Sequence, residues 1–190
     1  MKKILVLDNY DSFTYNLVHY IEAGGDYEVD VFRNDEISLE EVDKYDTIVL
    51  SPGPGLPSEA GILKELIKQY APTKKILGVC LGMQAIGEVY GGELENLDNV
   101  YHGVATDLSV TDTSDLIYKN LPQSFKVGRY HSWVISRNNF PEELNVTAVE
   151  ENNQIMSLKH KDYNLYGVQF HPESILTENG KAIINNFLSI

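Results

Sequence analysis

Cys80 is the only cysteine among 190 residues, and it lies in Gly78-Val79-Cys80-Leu81-Gly82. The apolar stretch Ile76 to Val79 precedes it, and Met83 to Tyr90 follows with helical spacing before Gly91-Gly92. A nucleophilic atom thus sits where a strand turns sharply into a helix. Small residues two positions to either side let the two backbones approach, as a nucleophile elbow requires. The first turn of a helix offers a thiol unpaired N–H groups and the positive end of the helix dipole, which favour thiolate. A free cysteine also packs as a small, inert hydrophobe, and the pentapeptide by itself is compatible with either role.

A cysteine hydrolase needs a base, a group to orient that base, and donors for the developing oxyanion. Of five histidines, His19 falls in a helical pattern and reads as structural or solvated. His160, at a lysine-flanked polar strand end, reads as exposed, while His102 and His131 lie in loops and stay open by pattern. His171 directly follows the apolar strand Leu165–Phe170, and Pro172 holds its backbone extended. Glu173, two positions on, is placed to accept an imidazole N–H. For the oxyanion, Leu81 can donate its backbone N–H. The loop Ser51-Pro52-Gly53-Pro54-Gly55-Leu56-Pro57 follows another strand, and its glycines allow close approach to a ligand. Pro54 has no N–H, so Gly55 is the better second donor. An ordinary Pro/Gly-rich connection would have the same composition.

The first half alternates strands with helices. Lys3–Leu7 reads as a buried strand, and a helix spans about Phe13 to Ala23, with Phe13, Leu17, Tyr20 and Ile21 on one stripe. Strands at Glu28–Phe32 and Asp46–Leu50, a helix over Glu59–Tyr70 and a strand at Lys75–Val79 lead into the elbow. This alternation implies right-handed crossovers and an open, mostly parallel sheet flanked by helices. The second half holds strand-like segments near Ala105–Val110, Val127–Ser132, Val146–Val149, Gln154–His160 and Leu165–Phe170, with Lys161–Asn164 as a hairpin turn, then a helix over Thr177–Leu188. The expected fold class is α/β, one domain over residues 1–190, with a small additional mixed or antiparallel strand region. Ligands of such sheets bind beyond the strands' carboxyl ends, where Cys80 would lie.

Composition narrows the function classes. A net charge of −13 repels phosphate backbones, so no nucleic-acid partner is expected. No apolar run is long enough for a membrane span, and the short apolar start is broken by Asp8. A lone cysteine forms no internal disulfide, which fits a cytoplasmic location. No metal-ligand spacing is evident.

Gly78-Val79-Cys80-Leu81-Gly82, the Gly53-Pro54-Gly55 loop and Phe170-His171-Pro172-Glu173 together resemble the class I, triad-type glutamine amidotransferases, whose fold is flavodoxin-like. Within that family, Asp8-Asn9-Tyr10-Asp11-Ser12-Phe13-Thr14-Tyr15-Asn16-Leu17, Ser51 to Gly61 and Tyr130-His131-Ser132 are similar to the small subunits of anthranilate synthase and aminodeoxychorismate synthase, with anthranilate favoured by Pro57-Ser58-Glu59-Ala60-Gly61. The resemblance implies that Cys80 attacks the side-chain amide of L-glutamine and that His171, oriented by Glu173, handles the proton. Gly55 and Leu81 would hold the oxyanion. Gln84 and the backbone around Ser132-Trp133 would hold the amino-acid end of glutamine. The partner it further implies is a separate chorismate-binding synthase subunit, with Mg²⁺ in that partner and no cofactor in this chain. Three positions depart from the family pattern: Met83 and Trp133, which would reshape the glutamine pocket, and Val104, which would alter partner contacts. A free-standing cysteine hydrolase acting on γ-glutamyl compounds is the competing expectation.

Overall fold

The computed structural model describes residues 1–190. In chain order the elements are β1 (Lys2–Asp8), α1 (Thr14–Ala23), β2 (Tyr27–Arg33), α2 (Leu39–Val42), β3 (Thr47–Leu50), α3 (Leu63–Tyr70), β4 (Lys75–Val79) and α4 (Leu81–Val89). The second half contributes β5 (Leu94–Asn96), β6 (Val104–Val110), β7 (Ser124–Arg129), β8 (Trp133–Ile135), β9 (Leu144–Val149), β10 (Ile155–His160), β11 (Leu165–Val168) and α5 (Gly180–Leu188).

Nine strands form one sheet in the order β2-β1-β3-β4-β11-β10-β9-β6-β7. The first five run parallel, and β10, β9, β6 and β7 continue the same sheet antiparallel. The added strands are therefore an extension of the sheet and not a separate layer. Residues 161–164 make the expected turn between β10 and β11, which pair antiparallel. The three-residue strands β5 and β8 pair as a small ribbon.

Alternation along the parallel strands sends side chains to two cores. Ile4 and Val6 pack with Leu17, Ile21, Ile183 and Phe187 under α1 and α5. Leu5 and Leu7 pack with Leu66, Ile67 and Ile86 under α3 and α4. With both faces covered, the inner parallel strands are apolar through their buried stretches, while the edge strand β2 alternates polar and apolar residues.

Three expectations need correction. In α1 the buried residues are Thr14, Leu17, Val18 and Ile21; Phe13 is 43% exposed and turns toward Tyr130, its ring centroid 6.0 Å away. The helix expected from Glu59 starts at Leu63. Pro57–Glu59 forms a single 3₁₀ turn, and Gly61 takes a positive φ of 51° that breaks the helix. His160 is buried, not exposed: its ring stacks on Tyr163 at 4.1 Å and meets Tyr90 at 4.9 Å. Its Nδ1 accepts from the Asp162 and Tyr163 N–H groups, and burial lowers its pKa.

Candidate active site

The carboxyl ends of β4 and β11, adjacent and parallel, present Cys80 and His171 on one side of the sheet. Val79 pairs with Val168, the Cys80 N–H donates to the Val168 carbonyl at 2.7 Å, and the Cys80 carbonyl accepts the first bond of α4 from Gln84. Cys80 has φ 53° and ψ −100°, a strained backbone for a residue with a side chain. The flanking glycines explain how the chain tolerates it. A Cβ on Gly78 would lie 2.5 Å from the Gly82 carbonyl carbon, and one on Gly82 would lie 2.9 Å from the Leu50 Cβ. Strand and helix can meet at this angle only without those side chains.

His171 and Glu173 are both buried, and His171 Nδ1 lies 2.6 Å from Glu173 Oε1. Burial by itself pulls the imidazole's pKa down, but Cys80 and Glu173 outweigh it and raise it to about 10. The buried Glu173 carboxylate and the neighbouring sulfur thus favour the imidazolium form of His171. Its Nε2 has no hydrogen-bond partner in the chain and is free to serve a reacting group.

A cavity of about 300 Å³ opens over the sulfur, lined by Gly53, Pro54, Gly55, Cys80, Gln84, Ser132 and Trp133, with Tyr101, His102, Tyr130 and His131 completing the wall. Leu81 takes no part in the lining: its side chain is buried in the core, and as the first helical residue it leaves its N–H without an intrahelical partner. Gly55, at φ 74°, has an N–H with no partner in the chain. The loop carrying it is anchored from below. The Asn9 N–H donates to Ser51 Oγ at 2.8 Å, and Asn9 Nδ2 to the Ser51 carbonyl at 2.7 Å. A side chain at Gly53 would collide with the Asn9 carbonyl.

At the opposite wall the Ser132 carbonyl accepts from the Leu97 N–H, and the Trp133 carbonyl from Gln84 Nε2. The Trp133 carbonyl also meets His131 Nδ1 and has both lone pairs engaged, whereas the Ser132 carbonyl keeps one free for a ligand. His131 is no base. Nδ1 is bonded to the Trp133 carbonyl and Nε2 receives the Arg129 Nε–H. Burial first, then the Arg129 charge, lowers its pKa to about 3. His102 lines the cavity edge-on to Tyr130, and His19 is solvent-exposed on α1.

Of the departures from the family pattern, Trp133 lines the cavity, whereas Met83 does not. Met83 is fully buried against Gly167 in the core below α4, so it has no direct hold on the pocket. Val104 is 41% exposed at the start of β6.

Two residues at the site escaped the sequence reading. Gln169 donates from Nε2 to Cys80 Sγ at 3.4 Å. Strand alternation was the available signal, since Gln169 and His171 are two apart and share a face. Arg129 is fully buried, bonded to Glu150 Oε2 at 3.4 Å and to Gln154, with its guanidinium 3.6 Å from the Tyr101 ring centroid. No local pattern distinguishes it from a surface arginine. No group of three or more His, Cys, Asp or Glu side chains converges as a metal site, and no helix is long and apolar enough to cross a membrane.

The sequence model of the family described as glutamine amidotransferase class-I matches residues 5–190. Anthranilate synthase component 2 of Pseudomonas aeruginosa is 45% identical over 97% of this chain and 94% of its own length. The bifunctional protein TrpGD of Thermotoga maritima is 44% identical over the whole chain, which spans only 32% of that longer protein. Among solved structures, a Thermoplasma acidophilum protein assigned to GMP synthase superposes with a TM-score of 0.88 at 30% identity, covering all of this chain and 93% of its own. A glutamine amidotransferase of Thermotoga maritima has the same fold at 15% identity, with a TM-score of 0.80 over 99% of this chain and 96% of its own. The family match runs through the elbow, the Pro/Gly loop and the histidine strand alike, and the chain belongs to the class-I glutamine amidotransferases.

Proposed function

We propose that residues 1–190 form one glutaminase domain that supplies ammonia to a chorismate-binding anthranilate synthase subunit. The observation that carries this reading is the strained Cys80 elbow facing a buried His171–Glu173 pair across two adjacent parallel strand ends. Similarity to anthranilate synthase component 2 over nearly the full length of both chains supports the acceptor pathway.

In the proposed reaction the Cys80 sulfur attacks the γ-carbonyl of L-glutamine, and the oxyanion meets the N–H groups of Gly55 and Leu81. His171 Nε2–H gives its proton to the nitrogen as the C–N bond breaks, releasing ammonia and leaving a γ-glutamyl thioester. Neutral His171 then takes a proton from water as that water attacks. The C–S bond breaks, its electron pair returns to sulfur, and glutamate departs. Glu173 holds the imidazole in the required tautomer and stabilises its cation. Gln84 and the Ser132–Trp133 segment hold the amino-acid end of the substrate. No metal enters these steps; Mg²⁺ is assigned to the partner's site.

The partner would cover the face around the cysteine. A second cavity of about 440 Å³ borders His171 and Glu173, lined in part by Phe13, Tyr130 and Ile175. Ile175 is 97% exposed, an arrangement suited to burial in an interface.

The test is ammonia release from glutamine by the chain alone, then with chorismate and the large subunit of an anthranilate synthase. Strong stimulation with anthranilate formed, abolished by Cys80→Ser, is the expected result. Full activity alone with no response to that subunit would point to an independent hydrolase. Stimulation only by an aminodeoxychorismate synthase large subunit would reassign the pathway.

A further inference from the structure

We propose that Gln169 is a catalytic residue: its side-chain amide donates a hydrogen bond to the Cys80 sulfur and stabilises the thiolate, both before attack and as it leaves the thioester. This rests on the reading of Cys80 as the glutaminase nucleophile.

Gln169 is fully buried, and its Nε2 lies 3.4 Å from Sγ. Which end of an amide faces sulfur must be deduced from its bonding partners, and here the chain of partners ends on a group with no freedom. Arg129 can only donate. Its Nε–H points at His131 Nε2, 3.1 Å away, so that nitrogen is an acceptor and the proton sits on Nδ1. Nδ1–H therefore donates to the Trp133 carbonyl at 3.0 Å. A carbonyl only accepts, so the group of Gln84 that faces it at 2.9 Å must be the NH₂. The second hydrogen of that NH₂ meets Gln169 Oε1 at 3.3 Å. Gln169 Oε1 is thereby engaged, and its NH₂ is what remains for the sulfur. The Trp133 carbonyl, which can only accept, thus fixes the orientation of both amides in turn and aims a donor at the nucleophile.

The chemistry gives that donor a differential role. A thiolate is a strong acceptor, whereas a thioester sulfur is neutral and a poor one. The bond is therefore strong in the resting enzyme, weak in the γ-glutamyl intermediate, and restored as the C–S bond breaks and its electron pair returns to sulfur. His171 cycles between its protonated and neutral forms, giving its Nε2 proton to ammonia and regaining one from water before the C–S bond breaks, so its support of the sulfur varies with the step. Gln169 is neutral throughout and stays available.

The test uses Gln169→Met, which keeps the volume but removes the donor. Gln169→Glu keeps the shape and the oxygen facing Gln84 but replaces the donor with an acceptor. Cys80 is the sole cysteine, so its alkylation by iodoacetamide across a pH series reports its thiolate alone. The other titratable groups facing this site are His171 with Glu173 and Asp11 behind it, and His131, His102, Tyr101 and Tyr130 in the cavity wall, and neither substitution removes them. In folded Gln169→Met the midpoint of the alkylation profile should move upward by about 1–2 pH units. Gln169→Glu should move it at least as far. Rapid mixing with glutamine should show γ-glutamyl enzyme accumulating by intact mass, with kcat reduced about 10- to 100-fold and KM within about threefold. In the unsubstituted chain, alkylating Cys80 should shift the Gln169 side-chain NH₂ resonances, a reading that needs no variant to fold. An unchanged alkylation profile in either folded variant, or unmoved NH₂ resonances, overturns the proposal. The alkylation profile does not depend on turnover, so a chain inactive toward glutamine would count against the glutaminase reading while leaving the hydrogen bond separately measured.

Discussion

Replacing Glu173 with Gln removes a charge while keeping an oxygen able to accept from His171 Nδ1. The bond is 2.6 Å long and both side chains are buried, His171 at 3% and Glu173 at 4% exposure, so solvent screens it little. At an effective dielectric near 20, opposite charges about 4 Å apart attract by about 4 kcal/mol, which bounds the effect from above. A charge-assisted hydrogen bond contributes about 1.5–3 kcal/mol net, and we take that range as the expected loss. It corresponds to about 1–2 pKa units. The His171 pKa, held near 10 by Cys80 and Glu173 against burial, should therefore drop by that amount. Glutaminase kcat should fall about 10- to 100-fold, with KM little changed. The sign of the stability effect follows from a folded pKa above the unfolded value of 6.5. The imidazolium's stabilising contribution is complete below about pH 6.5 and fades as pH rises through about 10. Wild type and Glu173→Gln should differ most in denaturant midpoint at pH 6 and converge in strong alkali. The assays are ¹³C-histidine NMR titration, coupled glutamate detection and urea unfolding at several pH values. A His171 titration identical in the two proteins, or kcat within about threefold of wild type, would refute the assignment of Glu173 as the orienting carboxylate.

Other consequences can be measured on the same protein. Asp115 is fully buried, and burial raises its pKa from 3.8 to about 6; its contribution is favourable at low pH and lost as pH climbs through 6. Asp115→Asn, which keeps an oxygen for the Ile117 N–H, should be more stable than wild type by about 2–3 kcal/mol at pH 8 and roughly equal near pH 4 in urea titrations. Arg129→Met strands the buried Glu150 and should cost about 3–5 kcal/mol, read as a lower denaturation midpoint. Gly78→Ala forces a methyl group against the Gly82 backbone and should cost about 1–3 kcal/mol of stability. It should also depress glutamine turnover more than the lost stability explains, because the clash lies at the elbow itself.

The parallel half of the sheet is legible because its inner strands are buried on both faces and read as short apolar runs, while the edge strand β2 shows the alternation of a half-exposed strand. Lys75–Val79 was placed at its observed bounds, and β1 to β3 within a residue or two. The elbow was legible because its glycines are a local steric requirement. The small ribbon of β5 and β8 was not, since three residues are too few to show a period. The start of α3 was misjudged because Gly61 fits a helical pattern until its φ is known. His160 reads as exposed from its polar sequence neighbours, while its ring is covered by Tyr163 on one side and by Tyr90, brought in from α4's far end, on another. Gln169 and Arg129 were missed for the same reason: their partners, Cys80 and Glu150, lie on other elements and only the fold unites them.

The strand that delivers His171 is the last of the sheet's strands in chain order and yet sits at its centre, fifth of nine. Until Leu165–Val168 leaves the ribosome, β4 and β10 present open edges toward each other, and the two halves of the protein have no backbone ladder between them. Closing that gap is a long-range event of the slow kind, and it seals the sheet and brings His171 to the sulfur in a single step. A stalled or truncated chain therefore holds an elbow without a base and consumes no glutamine. It also exposes two unpaired strand edges, so a molecule lacking this strand is prone to aggregation until the sheet closes.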